Sequence, residues 1–315
     1  MYQTAPLDAS NFVASFDRAF FFIIGIAITL LIAITVLMLY FVYKYNNKRS
    51  PKAANIEGST KLEIIWTVIP TLLALLMFYF GWAGWRPMKS PPKDAMVINT
   101  TARMWSFTFG YENGKQSEEL ILPAGMPVKL KLNSVDVLHS VFIPAFRVKE
   151  DIVPGREKFM WFIPQREGEY DLYCAEYCGL RHSYMGANVK VLAKADFDKW
   201  YTDTTAVKSS AASSVPGAEG LNILRQQGCN ACHSTDGTKI VGPSYLGLWG
   251  KQIVVERGGQ ELTVTVDSGY IRKSIYEPNY EIAKGYQKNL MQPYDKTVTD
   301  KDISKIIEYL KTLEE

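Results

Sequence analysis

The chain has 315 residues, of which 47% are hydrophobic, so it can hold more than one folded module as well as membrane segments. Its acidic and basic residues nearly balance and give a formal net charge of +3 at pH 7. This balance does not indicate a basic face that neutralises phosphates, so we expect no nucleic-acid partner.

Two uncharged stretches follow an N-terminal segment, residues 1–18. As a helix, residues 19–43 would span about 37 Å, which exceeds the thickness of a bilayer core. The second uncharged stretch, residues 64–85, is also long enough, and we place the second helix at residues 64–86. We therefore predict two transmembrane helices. The loop between them, residues 44–63, is rich in Lys and Arg, and such loops stay in the cytoplasm. Both chain ends and all later segments are then expected on the periplasmic side of a bacterial inner membrane, with lipid around the helices.

The segments after the second helix differ in pattern. Residues 94–200 contain short alternating or apolar runs separated by Pro and Gly, which predicts an all-β sandwich or barrel. Residues 201–217 are rich in Ser, Ala and Thr and predict a flexible linker. In residues 218–315 apolar side chains recur at helical spacing, which predicts a small all-α domain. The expected fold class is a multidomain membrane protein: a two-helix transmembrane hairpin, a β domain and an α domain.

The chain contains only four cysteines and three histidines. Six of these seven residues fall into two tight clusters, and sulfur and imidazole ligands gathered in this way indicate metal chemistry. Two short-loop disulfides in an exported protein are the alternative.

The first cluster lies in the segment CAEYCGLRHSYM, and an earlier strand end adds a histidine. Together they offer two thiolates, two imidazoles and one thioether, from Cys174, Cys178, His139, His182 and Met185. A mononuclear blue-copper site uses one cysteine. Two bridging cysteines can instead hold two coppers, each with one histidine, with the thioether and a backbone carbonyl as weak ligands. Tetrahedral zinc, which would leave the methionine unexplained, and a disulfide with incidental histidines remain alternatives.

The second cluster, GCNACHS, contains the C-x-x-C-H signature of covalent heme attachment in Cys229, Cys232 and His233. The two thiols would add to the heme vinyl groups, and the histidine would bind the iron. A thioredoxin-like redox pair is the alternative, but no βαβ pattern surrounds the motif. Met291, in a loop before the last helix, is the predicted sixth iron ligand, with a gap-filling core methionine as the alternative.

Several segments resemble subunit II of cytochrome c oxidase, over about residues 15–200. They are LEIIWTVIP from Leu62, DVLHSVFIPAFRVKEDIVPGR from Asp136 and the cysteine segment from Cys174. The resemblance implies a cupredoxin-like domain with a dinuclear copper centre. The copper ligands that it implies are His139, Cys174, the carbonyl of Glu176, Cys178, His182 and Met185.

The same resemblance implies roles for three more groups. The Glu176 carboxylate would reach a magnesium ion at the boundary with subunit I. Trp105 would lie on the surface over the copper and receive electrons, although by itself it is an ordinary strand aromatic. Glu63 would mark the entrance of a proton pathway into subunit I, although a glutamate at a membrane boundary is by default an interfacial charge.

Residues 218–315 resemble a class I cytochrome c in the heme motif, in VGPSYLGLWG from Val241, and in the methionine ahead of the final helix. In that family the residue matching Pro243 packs beside the proximal histidine. The usual Met-Pro becomes Met-Gln-Pro at residues 291–293. The departures from the subunit II pattern are Gly186 in place of Pro, Met104 in place of Gln and Phe107 in place of Trp.

These features predict subunit II of a bacterial cytochrome c oxidase. Electrons would reach the heme from a cytochrome c or a membrane-bound donor complex and pass to the copper centre. They would then go to the heme-copper subunit I, which reduces oxygen to water with proton pumping. Other oxidase subunits would be further partners.

Other functions remain possible from the sequence. The main alternative is a membrane-anchored electron-transfer or copper-delivery protein outside any oxidase, although a second membrane helix favours packing against a larger subunit. A quinol oxidase is disfavoured because all the copper ligands are present. Nitric oxide reduction by a related complex stays open.

Overall fold

The computed structural model describes residues 8–52, 55, 57–203 and 217–313. Most of the predicted linker, residues 204–216, lies outside the described residues. The described chain forms a pair of long helices, a β-sandwich and a smaller C-terminal domain.

Two long helices, α1 (Val13–Lys44) and α2 (Thr60–Met88), contain the two uncharged stretches and extend beyond them. Both are long and apolar enough to cross a membrane. They contact each other through Phe22 and Phe80, whose ring centroids are 4.8 Å apart, and so form a hairpin. Most of their large apolar side chains point outward, which suits contact with lipid or with a neighbouring membrane subunit.

Ten strands form a sandwich of two five-stranded sheets. The first sheet has the order β3-β2-β1-β5-β8 and the second the order β4-β10-β9-β6-β7. The strands are β1 (Met96–Arg103), β2 (Ser106–Tyr111), β3 (Gln116–Ser117), β4 (Leu120–Pro123), β5 (Val128–Ser134), β6 (His139–Ile143), β7 (Val148–Ile152), β8 (Lys158–Phe162), β9 (Gly168–Cys174) and β10 (Gly186–Leu192).

The pairing of the strands is mostly antiparallel, with parallel pairs at β1–β5 and β4–β10. Alternate residues of β5, namely Val128, Leu130 and Leu132, are buried, so the period-two pattern of this strand fixes its inner face. Helix α3 (Lys194–Thr202) closes the domain and buries Phe197.

The second sheet brings the first metal cluster to one of its ends. His139 begins β6 and Cys174 ends β9, and these two strands pair with Val141 opposite Cys174. The connection from β9 to β10 contains a 3₁₀ turn at His182–Tyr184. Because this connection returns to a neighbouring strand, it holds the remaining candidate ligands beside the first two.

The C-terminal domain is built on helices α4 (Ala218–Gln226), α5 (Ser268–Tyr276) and α6 (Asp300–Leu310). A capping box between Thr299 and Asp302 begins α6. The side chains of this helix that face inward are Ile303, Ile306, Ile307 and Leu310. Helices α4 and α6 cross closely at Gly220, where any Cβ would overlap the carbonyl of Lys305.

This domain also contains a small sheet that its helical periodicity does not predict. Strands β11 (Gln252–Arg257), β12 (Gln260–Thr265) and β13 (Ile282–Ala283) pair in the order β12-β11-β13. Gly258 and Gly259 join β11 to β12 with φ values of 59° and 85°. A tight two-residue hairpin turn requires such left-handed residues, so the Gly-Gly pair was the available sequence signal.

Candidate copper and heme sites

Side chains with soft ligand atoms converge at the end of the second sheet. Cys174 Sγ lies 3.7 Å from Cys178 Sγ and 3.9 Å from His139 Nδ1. Cys178 Sγ lies 3.5 Å from His182 Nδ1 and 3.7 Å from Met185 Sδ. The two sulfurs form the centre of the group with one imidazole beside each, an arrangement that could hold two soft metal ions.

Glu176 contributes two groups to this region. Its carbonyl oxygen lies 3.3 Å from Cys174 Sγ, within the ring of candidate ligands. Its half-buried carboxylate points away and accepts a hydrogen bond from Lys149 Nζ at 2.7 Å. The backbone and the side chain of Glu176 therefore face different neighbours.

Cys174 and Cys178 are not joined by a disulfide. Their sulfurs are 3.7 Å apart, and a disulfide bond measures about 2.05 Å. Both are buried free thiols. The disulfide alternative therefore does not describe this cluster.

Asp136 orients one of the imidazoles. Its Oδ1 accepts a hydrogen bond from His139 Nε2 at 2.8 Å, and its Oδ2 accepts one from the backbone N–H of Met104 at 2.7 Å. Burial opposes protonation of His139, but the hydrogen bonds and charges of Asp136 and Cys174 together outweigh it and raise the pKa of the imidazole. His139 Nδ1 thus faces Cys174 as the free ligand atom, as in carboxylate–histidine pairs that orient metal-bound imidazoles.

The two thiols of the cluster differ in acidity. Burial opposes ionisation of Cys174, but hydrogen bonds with His139, with Cys178 and with nearby backbone groups together outweigh it and lower the pKa of this thiol. Burial and the neighbouring Cys174 thiolate raise the pKa of Cys178. A second deprotonation therefore needs a compensating positive charge, which a cation between the two sulfurs would supply. The donors themselves, which are two sulfurs, two imidazoles and a buried thioether, are soft and fit copper.

The second cluster is built around a 3₁₀ turn, Cys229–Ala231, and the histidine that follows it. His233 Nδ1 donates a hydrogen bond to the carbonyl of Pro243 at 2.8 Å. The imidazole stacks on the ring of Tyr245, with centroids 5.0 Å apart, and any Cβ at Gly242 would overlap it. Burial lowers the pKa of His233, so the imidazole is neutral and its Nε2 could bind iron.

The two cysteines of this cluster are weak acids. Burial raises the pKa of Cys229 to about 12 and that of Cys232 to about 11. A thioredoxin-like pair needs a thiol with a lowered pKa. The structure therefore disfavours a redox pair and fits thiols that form thioethers.

Met291 lies half-buried in the loop between β13 and α6. Three residues later, the backbone N–H of Tyr294 donates to the carbonyl of Ile275 at 3.0 Å. Among the described residues, no hydrogen bond or ring contact joins Met291 to His233. The role of Met291 as sixth iron ligand stays a prediction.

The sandwich and the C-terminal domain contact each other beside the second cluster. Arg103 Nη1 donates a hydrogen bond to the carbonyl of Gln227 at 3.0 Å. Cys232 and Val241 pack against the apolar core of the sandwich, which includes Trp105. The heme-attachment segment and Trp105 therefore share one contact region.

Trp105 also contacts the first cluster. Its Nε1 donates a hydrogen bond to the carbonyl of Cys178 at 3.0 Å. The side chain is only 4% exposed, so the expectation that Trp105 lies on the surface is wrong for this chain. Its sequence neighbours contact the C-terminal domain, which covers this side of the sandwich.

Glu63 lies in the first turn of α2, and its side chain is exposed. Its backbone N–H donates to the carbonyl of Ser59 at 3.0 Å. The other end of α2 reaches the sandwich, where Trp161 Nε1 donates to the carbonyl of Pro87. At a rise of about 1.5 Å per residue, Glu63 is more than about 30 Å from that end. The structure does not bring Glu63 to either cluster.

Residues without a motif of their own also belong to these sites. Asp136 could have been suspected from its place three residues before His139. Gly179 packs against Trp105, and Arg103 binds the C-terminal domain. The only sequence signal for these two residues is their closeness to Cys178 and to Trp105 along the chain.

Three family descriptions match the chain in succession. Residues 3–81 match the transmembrane domain of cytochrome c oxidase subunit II, residues 112–192 match its periplasmic domain, and residues 217–314 match cytochrome c. The alternative cytochrome c oxidase subunit 2 of Bradyrhizobium diazoefficiens is 30% identical over 57% of this chain and 76% of that protein. The chain belongs to the cytochrome c oxidase subunit II family.

A second relative spans most of this subunit II. Cytochrome c oxidase subunit 2 of Alkalihalophilus pseudofirmus is 25% identical over 92% of this chain and 85% of that protein. Among solved structures, the periplasmic domain of subunit II of cytochrome oxidase from Bradyrhizobium japonicum has 27% identity and a TM-score of 0.34. The matched region is 35% of this chain and 94% of that structure.

Membership of the family confirms the predicted fold class and function. This subunit II is a membrane protein with a cupredoxin-like domain and a fused helical cytochrome c domain. It is the electron-transferring subunit of a heme-copper cytochrome c oxidase, an oxidoreductase complex in which it partners subunit I. The first domain implies copper and the second implies heme, so the reading as a carrier outside any oxidase is set aside.

Proposed function

We propose that this subunit II carries electrons from a c-type heme to a dinuclear copper centre within one chain. When bound, the heme would accept electrons from a donor and the copper pair would pass them to subunit I with little rearrangement. The position of Trp105 carries the proposal. This side chain is hydrogen-bonded to the carbonyl of Cys178 and lies in the core against which Cys232 packs.

The copper ligands that we propose come entirely from the first cluster. Cys174 and Cys178 would bridge the two ions as thiolates. Met185 is buried among these donors, and a thioether favours copper over zinc. The complete proposed set is His139, Cys174, the carbonyl of Glu176, Cys178, His182 and Met185.

The second cluster would hold the heme. Cys229 and Cys232 would form its thioethers, and His233 would bind the iron through Nε2. The carbonyl of Pro243 accepts from His233 Nδ1, which fixes the ring and makes it a better donor. Met291 would be the sixth ligand, since methionine opposite histidine raises the potential of a heme.

Two carboxylates are proposed to serve the boundary with subunit I. The Glu176 carboxylate, held by Lys149 beside the copper loop, would contribute to a magnesium site. Glu63, exposed on α2 away from the sandwich, would contact subunit I and mark the entrance of a proton pathway. Neither carboxylate belongs to the proposed copper or heme ligands, so subunit I could contact both without displacing a ligand.

The proposed topology places both soluble domains on the periplasmic side. The Lys- and Arg-rich residues 44–63 would face the cytoplasm, between membrane segments 19–43 and 64–86. Residues 94–200 would form the copper domain and residues 218–315 the heme domain. The donor would be a cytochrome c or a membrane-bound complex that delivers electrons to the fused heme.

Metal and heme counts on the purified oxidase test this proposal. The Cys178→Ser variant should lose two coppers per complex relative to the wild type, because one bridging thiolate is removed. It should keep one covalent heme. Ser183→Ala, an exposed position in the same loop, should lose neither. Loss of a single copper, or of an equal amount of zinc, would contradict the dinuclear centre.

A further inference from the structure

The contact between the two soluble domains centres on Arg103. Its Nη1 donates to the carbonyl of Gln227 at 3.0 Å, and its guanidinium lies 5.4 Å from the centre of the Tyr294 ring. Gln227 caps the C-terminal end of α4, where helix carbonyls lack partners within the helix and a cation is favourable. One side chain of the copper domain therefore binds two segments of the cytochrome domain.

Arg103 and Gln227 each stand beside a functional segment. Trp105 follows Arg103 by two residues, and Cys229 follows Gln227 by two residues. Two residues of chain span at most about 7 Å. The hydrogen bond between Arg103 and Gln227 therefore fixes the heme-attachment segment close to Trp105.

The surfaces around this contact fit closely. Gly228 has a φ of 69°, and any Cβ there would overlap the hydroxyl of Ser106. The hydroxyl of Thr108 donates to the carbonyl of Gln226 at 3.3 Å. The hydrogen bond from Arg103 is shorter and charge-assisted, and such bonds are about twice as strong as neutral ones. Of these two hydrogen bonds, the one from Arg103 is therefore the stronger.

We propose that Arg103 is a positioning residue that holds the fused cytochrome domain in place for electron transfer to Trp105. This inference rests on the proposed function, in which the heme is attached at Cys229 and Cys232. Arg103 carries no electron itself. It fixes the heme-attachment segment against the copper domain, so that transfer within the chain does not wait for the tethered domain to diffuse back.

The Arg103→Gln variant of the complete oxidase tests this role. Loss of the charge weakens docking, so transfer from heme to copper should slow by about tenfold, the usual effect of one charge-assisted hydrogen bond. The rate is followed by copper absorbance after rapid photoreduction of the heme. Arg103→Lys should recover part of the rate, because it keeps the charge but not the planar fork.

Arg166→Gln is the matched control. It also removes one arginine from the copper domain, but Arg166 pairs with Asp8 in the N-terminal segment. Its transfer rate should equal that of the wild type. An equal rate in Arg103→Gln would overturn the proposal.

A second measurement needs neither metal centre. Hydrogen–deuterium exchange of residues 218–228 should be faster in Arg103→Gln than in Arg166→Gln, and equal exchange would also count against the proposal. Absence of copper or heme from the wild type would instead contradict the proposed function. The exchange comparison would still decide whether Arg103 holds the domain.

Discussion

At the residue scale, the surroundings of Trp105 depend on a glycine next to a candidate copper ligand. Gly179 follows Cys178 and has a φ of 112°, a conformation that side chains with a Cβ rarely adopt. A Cβ at this position would lie 3.1 Å from Trp105 Cζ2. The indole therefore rests directly on the backbone that carries the ligand.

Gly179→Ala should displace Trp105 and slow electron transfer between the two centres. The backbone strain alone should cost about 1–3 kcal/mol of stability. Gly114→Ala is a control for that strain, because Gly114 has a φ of 86° and nothing within 4 Å of its Cβ position. Melting temperatures and transfer rates of both variants should be compared. Equal transfer rates in the two variants would show that the contact between Gly179 and Trp105 does not affect electron transfer.

Met291→His should lower the potential of the heme, because it replaces a thioether ligand with an imidazole. The expected change is on the order of 100 mV, within the roughly 0.8 V that axial ligands span. A redox titration of the heme absorbance measures it. Gln292→Ala, at the exposed neighbouring position, should leave the potential unchanged. The same potential in Met291→His would remove Met291 as a ligand.

The candidate ligands could be predicted from sequence because cysteine and histidine are rare here and their spacing is restrictive. The groups that orient them could not. Asp136 reaches both His139, at the start of β6, and the backbone of Met104, in the turn between β1 and β2 of the other sheet. Such a contact depends on how the strands pair, and local spacing does not encode that.

At the scale of elements, the uncharged runs predicted both long helices, but the structure extends them past the charges at their ends. Helix α1 includes Asp17 and Arg18, and α2 includes Glu63. A charged side chain at a membrane boundary does not stop a helix, since it can reach water while the backbone stays hydrogen-bonded. The uncharged run therefore predicts the part of the helix that lies within the membrane, but it does not predict where the helix begins and ends.

An ionic cluster connects the end of α2 to the sandwich. Glu150 on β7 accepts hydrogen bonds from Lys89 at 2.8 Å and from Lys158 at 2.9 Å. Burial opposes ionisation of Glu150, but the two ammonium groups outweigh it and lower the pKa of this carboxyl below 4.5. The ionised cluster therefore stabilises the folded chain above about pH 4.5, the value expected on unfolding.

Glu150→Gln should lower the melting temperature at pH 7. The loss should be about 1 kcal/mol, because both lysines are about 40% exposed and water screens them. The difference in melting temperature between the variant and the wild type should shrink as the pH falls below 4.5. It should vanish below the pKa that Glu150 has in the folded chain, because the wild-type carboxyl is then neutral as well. Glu157→Gln, at an exposed position, should show no such pH-dependent difference.

At the scale of the whole molecule, the sequence predicted the domains but not their contact. The composition of residues 201–217 is compatible with either a docked or a free cytochrome domain. The contact depends on Arg103, Gln227 and Gly228, none of which belongs to a motif. The resemblance placed Trp105 on the surface, whereas in this chain the indole is buried against the copper loop, beside residues that contact the fused domain.

Because Trp105 is buried, the surface that recognises the electron donor differs from the surface that passes electrons to the copper domain. A visiting donor protein cannot touch this indole, so its recognition must depend on the outer face of the cytochrome domain. Substitutions on that face can change the choice of donor without disturbing the copper loop. The copper domain, in turn, can be optimised for one permanent neighbour, with no need for a surface that releases its partner after each turnover.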